Sequence, residues 1–328
     1  MHCLPWNEES DLLKPTLLLA AALVLLPVLA VAETPFDSGR LDYAVQFNGK
    51  RIDWHTFAFF VLPGQAVGIR VLAPGNGPVS IDQSGGGLTR IDDRRWDWVA
   101  PDEAGLSTIR IQPEGRAAMT LNVLTMVPSS QIENGSLDGF RIGEYPAEPL
   151  RGNLIYLPPP GKIQVSQDLL DLPISPHFTL GQFLCKQQPD HWPKYMVLRE
   201  ALIAKLEIIL AEVNRRGIRA DSFEILSGHR TPWYNQAIGN GRFSRHVWGG
   251  AADIFIDTNG DGRMDDLNGD GKSDIRDAQI LMDIIEDLYE TRRYQRLHGG
   301  LGLYGPRPHR GPFVHVDARG HEARWAVP

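Results

Sequence analysis

The sequence predicts an α+β protein: an N-terminal β-sandwich, immunoglobulin-like in broad class, followed by a domain of mixed helices and strands. Two observations lead to this prediction. Short apolar–polar alternations separated by turn signals fill residues 33–127, as in antiparallel sandwiches. The second half of the chain holds two long stretches with apolar residues every three or four positions, as on the buried face of helices. We therefore expect strands first, and helices mixed with strands afterwards.

The first 32 residues have the pattern of a secretory signal peptide. Residues 15–32 are almost wholly apolar and end in Ala30-Val31-Ala32, a small-x-small cleavage pattern. Acidic residues outnumber lysine ahead of this stretch, which is unusual for a signal, so an uncleaved anchor is the alternative. Pro27 and the short apolar span argue against an anchor. We expect a periplasmic or secreted protein with no stable membrane span after cleavage.

Charge and cysteine content narrow the function classes. The formal net charge is −7, and it becomes −5 without the first 32 residues, which carry −2. This mild acidity offers no electrostatic footprint for nucleic acid. Cys3 would leave with the signal, so Cys185 would have no partner for an internal disulfide. We interpret Cys185 as a small buried apolar residue.

The predicted sandwich spans residues 33–127. Its alternation is clearest at residues 65–71, 107–111 and 119–123. Trp96 and Trp98 share one face of a predicted strand, where we favour core packing over sugar binding. Residues 128–176 are rich in proline and glycine, and three successive prolines predict a stiff, extended linker. Within it, residues 140–146 are patterned enough to pack against the next domain.

The second predicted domain covers residues 177–328. An apolar stripe predicts a helix from about Pro193 to Arg216, with Gly217 placed to end it. A second helix is predicted from about Asp274 to Arg293. Strands are predicted at residues 223–227 and 252–256.

One run of residues in this domain points to a metal. His246 and Asp253 lie seven positions apart with glycines and alanines between them, so the backbone can pass close to an ion. His315 stands in an alternating stretch that predicts a strand. Two histidines and one carboxylate, with a fourth position left to water, form the usual ligand set of catalytic zinc. Such a metal acidifies water, which suits hydrolysis.

These residues belong to three blocks in a fixed order: Ser227-Gly228-His229-Arg230-Thr231-Pro232 with Tyr234-Asn235, then Ser244-x-His246-x-x-Gly249-x-Ala251-x-Asp253, then His315. Over about residues 174–325 the chain resembles the D-alanyl-D-alanine carboxypeptidase family, and most of all its murein endopeptidase branch. Members are zinc enzymes that act on peptidoglycan stem peptides. The resemblance implies that His246, Asp253 and His315 bind zinc. It also implies that Arg230 grips the substrate carboxylate or the oxyanion of the tetrahedral intermediate.

The chain departs from the family pattern at the general base. Several branches carry Glu or His two or three positions before the last ligand, whereas Phe313 and Pro312 stand here and neither takes a proton. The base is then another residue, for which His309 on a flexible loop is our candidate, or the metal activates water with little help. Ser244 and Asp317 are expected to orient the ligands from outside, since Asp317 shares a strand face with His315.

A second metal signal, for calcium, lies at residues 257–277. Oxygen-bearing side chains occupy positions one, three, five and nine of two successive loops, each with glycine at position six. The predicted ligands are Asp257, Asn259, Asp261, Asp265, Asp266, Asn268, Asp270, Asp274 and Asp277. The loops overlap at Asn268, so two independent EF-hands do not fit, and we expect a compact insertion with one or two ions. A solvated acidic loop without metal is the alternative.

The sequence thus predicts an exported zinc peptidase whose partners are peptidoglycan peptides, with zinc as cofactor and calcium as a stabilising ion. Whether a terminal D-Ala or an internal cross-link is cut stays open. The alternative is a non-catalytic zinc-containing protein that binds wall peptides, which the missing base at Phe313 and Pro312 favours.

Overall fold

Helices and strands are interspersed in the second half of the chain and strands dominate the first half, so the predicted α+β class is confirmed. The computed structural model describes residues 35–291, 294 and 297–328. The predicted signal peptide, residues 1–32, lies outside these described residues. Residues 36–328 form one compact unit. Nowhere in the described residues is a helix long and apolar enough to cross a membrane.

Residues 40–125 form two β-sheets. Their strands are β1 (Arg40–Phe47), β2 (Lys50–Trp54), β3 (Thr56–Val61), β4 (Ala66–Leu72), β5 (Val79–Gln83), β6 (Gly87–Arg90), β7 (Arg95–Val99), β8 (Gly105–Pro113) and β9 (Met119–Thr125). One sheet has the order β2-β1-β4-β7-β6 and the other the order β3-β9-β8-β5. The expectation of a wholly antiparallel arrangement is wrong for β3 and β9, which pair in parallel. These strands are distant in sequence, and alternation does not encode the direction of pairing.

The two sheets share a core. The ring of Phe47 on β1 stacks on Phe59 of β3 with centroids 4.4 Å apart. Buried and exposed residues alternate along β4 and β7, as the period-two pattern predicts. Trp96 and Trp98 are both buried, and the Trp98 indole donates to the carbonyl of Gly85 at 2.9 Å. The prediction that the two indoles pack in the core is confirmed.

The segment marked as a linker contributes short strands of its own. They are β10 (Val127–Pro128), β11 (Ser136–Leu137), β12 (Phe140–Arg141), β13 (Gly161–Val165), β14 (Pro173–Ser175) and β15 (Phe178–Thr179), after which comes β16 (Lys194–Met196). β13 pairs with β10 on one side and β16 on the other. Leu137, Phe140 and Ile142 are buried in a cluster with Tyr195. Apolar side chains between the prolines thus pack this segment against neighbouring parts of the chain.

The remaining elements build the sheet that carries the predicted ligands. They are α1 (Glu200–Arg215), β17 (Glu224–Ser227), α2 (Pro232–Ala237), β18 (Ala251–Phe255), α3 (Ile275–Glu290), β19 (Gly300–Tyr304), β20 (Phe313–Asp317) and β21 (Ala323–Val327). The sheet order is β17-β18-β20-β19-β21, and α3 packs against α1, β19 and β20. Short 3-10 turns lie at Ser129–Gln131, Leu150–Gly152, Leu154–Tyr156, Gln167–Leu169, Leu180–Phe183 and Arg245–Trp248.

Both predicted helices are present, with shifted ends. α1 begins at Glu200 instead of Pro193, because Lys194–Met196 pair with β13 as a strand. Its predicted apolar stripe is buried, at Leu198, Leu202, Leu206, Ile209 and Val213. α3 begins directly after Asp274, whose side chain caps it by accepting from the N–H of Arg276. Cys185 is buried, as predicted.

Candidate metal centre

Strand pairing aligns one residue from each strand of the C-terminal sheet in a row. Ser227 on β17 lies opposite Asp253 on β18, and Asp253 lies opposite His315 on β20. The row continues through Gly302 on β19 to Trp325 on β21. Opposed residues in a sheet have Cβ atoms about 5 Å apart on the same face. The register of β18 and β20 therefore brings two of the three predicted zinc ligands together.

Gly302 leaves room for an aromatic wall beside this row. A Cβ on Gly302 would lie 2.4 Å from the indole of Trp325. With no side chain there, the indole reaches His315, with ring centroids 5.0 Å apart. The indole N–H donates to the hydroxyl of Tyr304 at 2.9 Å. Trp325 is thereby held against His315 and shields one side of it.

The third predicted ligand, His246, comes from the 3-10 turn Arg245–Trp248. Gly249 ends this turn in the left-handed region, with φ of 61°. A Cβ on Gly249 would lie 2.1 Å from the carbonyl oxygen of Val197. Only glycine meets both conditions. The small residue predicted to let the backbone pass closely thus serves to turn the chain from His246 into β18.

The ligand atoms of the three residues converge. His246 Nε2 lies 3.2 Å from Asp253 Oδ1 and 3.1 Å from His315 Nδ1, and His315 Nδ1 lies 2.8 Å from Asp253 Oδ1. All three residues are buried. Among the described residues, this is the group of potential metal ligands whose ligand atoms lie close together. Zinc bonds of about 2.0–2.2 Å place tetrahedral ligand atoms about 3.3–3.6 Å apart. The triad therefore fits zinc after a small outward adjustment.

Both histidines are oriented by partners on the side away from the triad. His246 Nδ1 donates to the carbonyl of Gly228 at 2.7 Å, which leaves Nε2 as an acceptor. His315 Nε2 lies 3.4 Å from the carboxylate of Asp317, so Nδ1 faces the other ligands. Histidines that bind metals usually have such an outer partner, which sets the tautomer and the ring orientation.

Arg230 orients the carboxylate ligand. Its Nη2 donates to Asp253 Oδ2 at 2.7 Å, and its Nε donates to Ser227 Oγ at 2.9 Å. The Arg230 side chain is 13% exposed and that of Asp253 is 7% exposed. Within the described residues, Nη1 of Arg230 has no hydrogen-bond partner. Arg230 thus secures a predicted zinc ligand and keeps one donor group for another molecule.

The protonation of the triad suits a cation. Burial lowers the pKa of His246. Burial also lowers the pKa of His315, but hydrogen bonds to Asp253 and Asp317 outweigh it and leave that pKa raised. Burial raises the pKa of Asp253, yet the two histidines hold it well below its ordinary value. A cation would compete with protons for these three side chains, because histidine and carboxylate bind a metal in their deprotonated forms.

A buried lysine holds the strand that carries His315. Lys205 on α1 is fully buried, and its Nζ donates to the backbone carbonyl of Asp317 at 2.6 Å. The Asp317 carboxylate pairs with Arg319 at 2.5 Å and accepts from the N–H of Gly300 at 2.9 Å. Burial lowers the pKa of Lys205 to about 7. The end of β20 is thus fixed by a group that titrates near neutral pH.

We expect the free energy of unfolding to rise between about pH 7 and pH 10 relative to that of Lys205→Met. An unfolded lysine keeps its proton up to a pKa of about 10.4. The folded one loses it above about 7. The unfolded state therefore binds more protons in this window, and stability rises with pH by at most about 1.4 kcal/mol per unit. Denaturant unfolding of both proteins across this range measures the difference, and parallel curves would contradict it.

The triad lies in a cavity of about 960 Å³, which the predicted site residues Arg230, His309 and Ser244 also line. His309 is exposed on the loop between β19 and β20. Ser244 directly precedes the turn that carries His246, and its side chain does not cap that turn. Asp317 is fully buried behind the triad and does not line the cavity, as an outer partner should.

Of the two positions that lack a base, Phe313 is part of the cavity wall. Pro312 and Phe313 are buried, and the Phe313 ring stacks on Tyr304 with centroids 4.5 Å apart. The guanidinium of Arg310 lies 4.6 Å from the centre of the Phe313 ring and also lines the cavity. Sequence reasoning missed Arg310, because an arginine in a loop rich in Pro and Gly has no spacing signal. Only its stacking on Phe313 reveals it.

The acidic segment between β18 and α3 folds as two turns of one kind. Backbone N–H groups donate to Asp257 in the first turn and to Asp266 in the second. The donors are Gly260, Asp261 and Gly262, then Gly269, Asp270 and Gly271. Asp277 is buried and accepts from the N–H groups of Leu267, Asn268 and Asp274. In the described residues these carboxylates are not gathered as the side chains of His246, Asp253 and His315 are.

Comparison with known proteins assigns no family to the chain. A scan against models of protein families finds no match, and no curated protein sequence matches the chain. A function must therefore be inferred from the residues of the site, their geometry and the resemblance of their motifs. The arrangement suits hydrolysis, because a histidine–carboxylate triad in an open cavity leaves space for both water and a substrate.

Proposed function

We propose that this protein is an exported zinc metallopeptidase that hydrolyses peptidoglycan stem peptides or cross-links, as D-alanyl-D-alanine carboxypeptidases and murein endopeptidases do. The convergence of His246, Asp253 and His315 in one cavity carries the proposal. Three protein ligands leave a fourth zinc position for water or substrate, which is the arrangement of catalytic zinc sites. The class of substrate comes from the resemblance of the motifs.

Each residue of the site has a distinct role in this proposal. Zinc would polarise the scissile carbonyl and lower the pKa of water toward neutrality. Arg230 holds Asp253 through Nη2. Its Nη1 is free to stabilise negative charge on the scissile oxygen, as donors in an oxyanion hole do. Asp317 keeps His315 in the tautomer that presents Nδ1 to the ion.

For the general base we propose His309, which lines the cavity from the loop before β20. The base must lie within hydrogen-bond reach of the attacking water, directly or through one further water. The other option is that the metal activates water without a protein base. Fragment release by His309→Ala separates the two, because only the first option requires that residue.

Digestion of purified peptidoglycan tests the proposed function. We expect soluble fragments to be released, the release to stop when a chelator removes the metal, and zinc to restore it. Mass spectrometry of the fragments then shows whether a terminal D-Ala or a cross-link is cut. Release that is unaffected by chelation would contradict a zinc peptidase.

A second candidate function is wall-peptide binding without hydrolysis. The absence of a proton-accepting side chain at Pro312 and Phe313 favours it. In that case the protein would co-sediment with peptidoglycan in a zinc-dependent manner and release nothing. The digestion experiment distinguishes this outcome from catalysis.

Two finer features of the chain complete the proposal. The N-terminal sheets would form an immunoglobulin-like sandwich, supported by the core they share across Phe47 and Phe59. Export would remove the segment up to Ala32, which N-terminal sequencing of the exported protein tests.

Calcium is proposed as a stabilising ion of residues 257–277. The two equivalent turns at Asp257 and Asp266 present a glycine at position six, which permits the sharp bend of a calcium loop. β18, which carries Asp253, ends at Phe255, two residues before Asp257 at the start of the first turn. Order in the acidic segment would therefore extend to the strand that holds a zinc ligand.

We expect calcium to raise the melting temperature of the protein and Asp270→Ala to abolish the increment while zinc stays bound. An ion that binds only the folded state, at a hundredfold excess over its Kd, stabilises by about 2.7 kcal/mol. Asp283→Ala is the matched control, because Asp283 is an exposed acid on α3 outside the segment. Identical melting curves with calcium and with a calcium-selective chelator would identify an acidic loop without metal.

A further inference from the structure

The cavity that holds the triad carries an excess of positive charge. Asp253 supplies its only carboxylate among the described lining residues, against six cationic side chains: Lys186, Arg230, Arg242, Arg245, Arg310 and Arg319. The chain as a whole has a formal net charge of −7. The cavity is thus opposite in sign to the protein that surrounds it. A cavity lined by one sign of charge concentrates ligands of the other sign.

Four of these six cationic side chains are either bound to other groups of the protein or exposed to solvent. Arg245 is buried, and its Nη1 donates to the backbone carbonyl of Ile155 at 3.1 Å, while its Nε and Nη2 are unpaired within the described residues but closed off from solvent. Arg319 pairs with the carboxylate of Asp317, behind the triad. Lys186 and Arg242 are exposed. None of these four combines a fixed position in the wall with unused donors that are open to the cavity.

Arg310 combines both properties. Its Nη1 donates to the carbonyls of Gly305 at 2.8 Å and Gly311 at 3.2 Å, and its guanidinium lies on the ring of Phe313. Within the described residues, neither Nε nor Nη2 donates a hydrogen bond. The side chain is therefore held in place while one whole edge of the guanidinium stays available.

That edge has the geometry of a carboxylate receptor. Nε and Nη2 present two parallel N–H groups, which bind the two oxygens of a carboxylate at once. On Arg230 the same edge is already taken, because Nε donates to Ser227 and Nη2 donates to Asp253. The Nε–Nη2 edge is therefore open to a carboxylate on Arg310 and closed on Arg230.

We propose that Arg310 binds a carboxylate of the substrate, so that the site selects peptides with a free carboxylate near the scissile bond. This role rests on the proposed function, because it names the class of substrate that the same site accepts. Arg230 then holds Asp253 and stabilises the developing negative charge. The substrate carboxylate and the oxyanion, which the resemblance gave as alternative partners of Arg230, would then be bound by different arginines.

Binding measured without turnover tests this role. The probes are N-acetyl-D-Ala-D-Ala and its C-terminal amide, titrated calorimetrically into the zinc-depleted full chain. We expect the free acid to bind about 10- to 100-fold more tightly than the amide, as for a charge-assisted pair of hydrogen bonds. Arg310→Gln should abolish the difference. Arg307→Gln should keep it, because Arg307 is exposed on the same loop and does not line the cavity.

Equal affinity of the wild type for acid and amide, or an unchanged preference in Arg310→Gln, would overturn the role. If Arg310→Gln melts at a lower temperature than the wild type, Arg310→Lys is used in its place. Lysine keeps the charge but lacks the edge with two donors, so this variant should lose most of the preference for the acid over the amide. Peptidoglycan digestion separates the two proposals. A wild type that binds the acid through Arg310 but releases no fragments would refute the peptidase function alone.

Discussion

The double replacement His246→Ala, His315→Ala is expected to reduce bound zinc from about one ion per chain to none and to abolish fragment release from peptidoglycan. Only Asp253 of the triad would remain, and one carboxylate does not hold zinc against water. The loss of several kcal/mol of transition-state stabilisation corresponds to a fall in rate of about a thousandfold or more. Elemental analysis and digestion assays measure the two effects independently.

His321→Ala serves as the control for this variant. His321 is exposed and does not line the cavity, so zinc and activity should both be unchanged. Circular dichroism of the double variant shows whether the fold survives, because His246 and His315 are both buried. Retention of full zinc by the double variant would remove these residues from the proposed metal site.

Arg230→Lys is expected to lower turnover about 10²- to 10³-fold, the usual loss for one donor to a developing oxyanion. Lysine keeps the positive charge, but its single nitrogen cannot bind Ser227 and Asp253 and also donate to the substrate oxygen. The variant should still fold and bind zinc, since all three ligands remain. Turnover is measured with zinc in excess, so that any weakening of zinc affinity through Asp253 does not contribute.

Arg242→Lys is the matched control, because Arg242 lines the same cavity but is exposed. Its turnover should equal that of the wild type. If Arg230→Lys also turns over normally under zinc saturation, Arg230 serves only to position Asp253. A zinc titration would then show a weaker affinity with an unchanged maximal rate.

Much of the fold follows from local periodicity. Alternation with period two marks β4, β8 and β9, and stripes at steps of three and four mark α1 and α3. The residues at which helices and strands begin and end are harder to predict from the sequence. Lys194–Met196 continue the pattern of the first helix in the sequence, but hydrogen bonds to β13 draw them into a strand. Propensity is a weak guide wherever a distant partner competes for the backbone.

The candidate site likewise has residues that the sequence predicts and residues that only the structure reveals. Side-chain chemistry and spacing mark His246, Asp253 and His315, and the structure brings them together through the pairing of β18 with β20. The role of Arg310 is invisible in sequence, because it depends on a stacking contact and on which of its nitrogens are already used.

The sequence by itself determined the α+β class, the order of strands and helices, and the identity of three metal-ligating candidates, because these depend on residue type and short-range spacing. Tertiary structure alone decided the parallel pairing of β3 with β9, the short strands within residues 128–176, and the division of donors between Arg230 and Arg310. Each of these depends on contacts between segments far apart in the chain. Such contacts follow from which surfaces meet in the folded state, and no local pattern of residues encodes them.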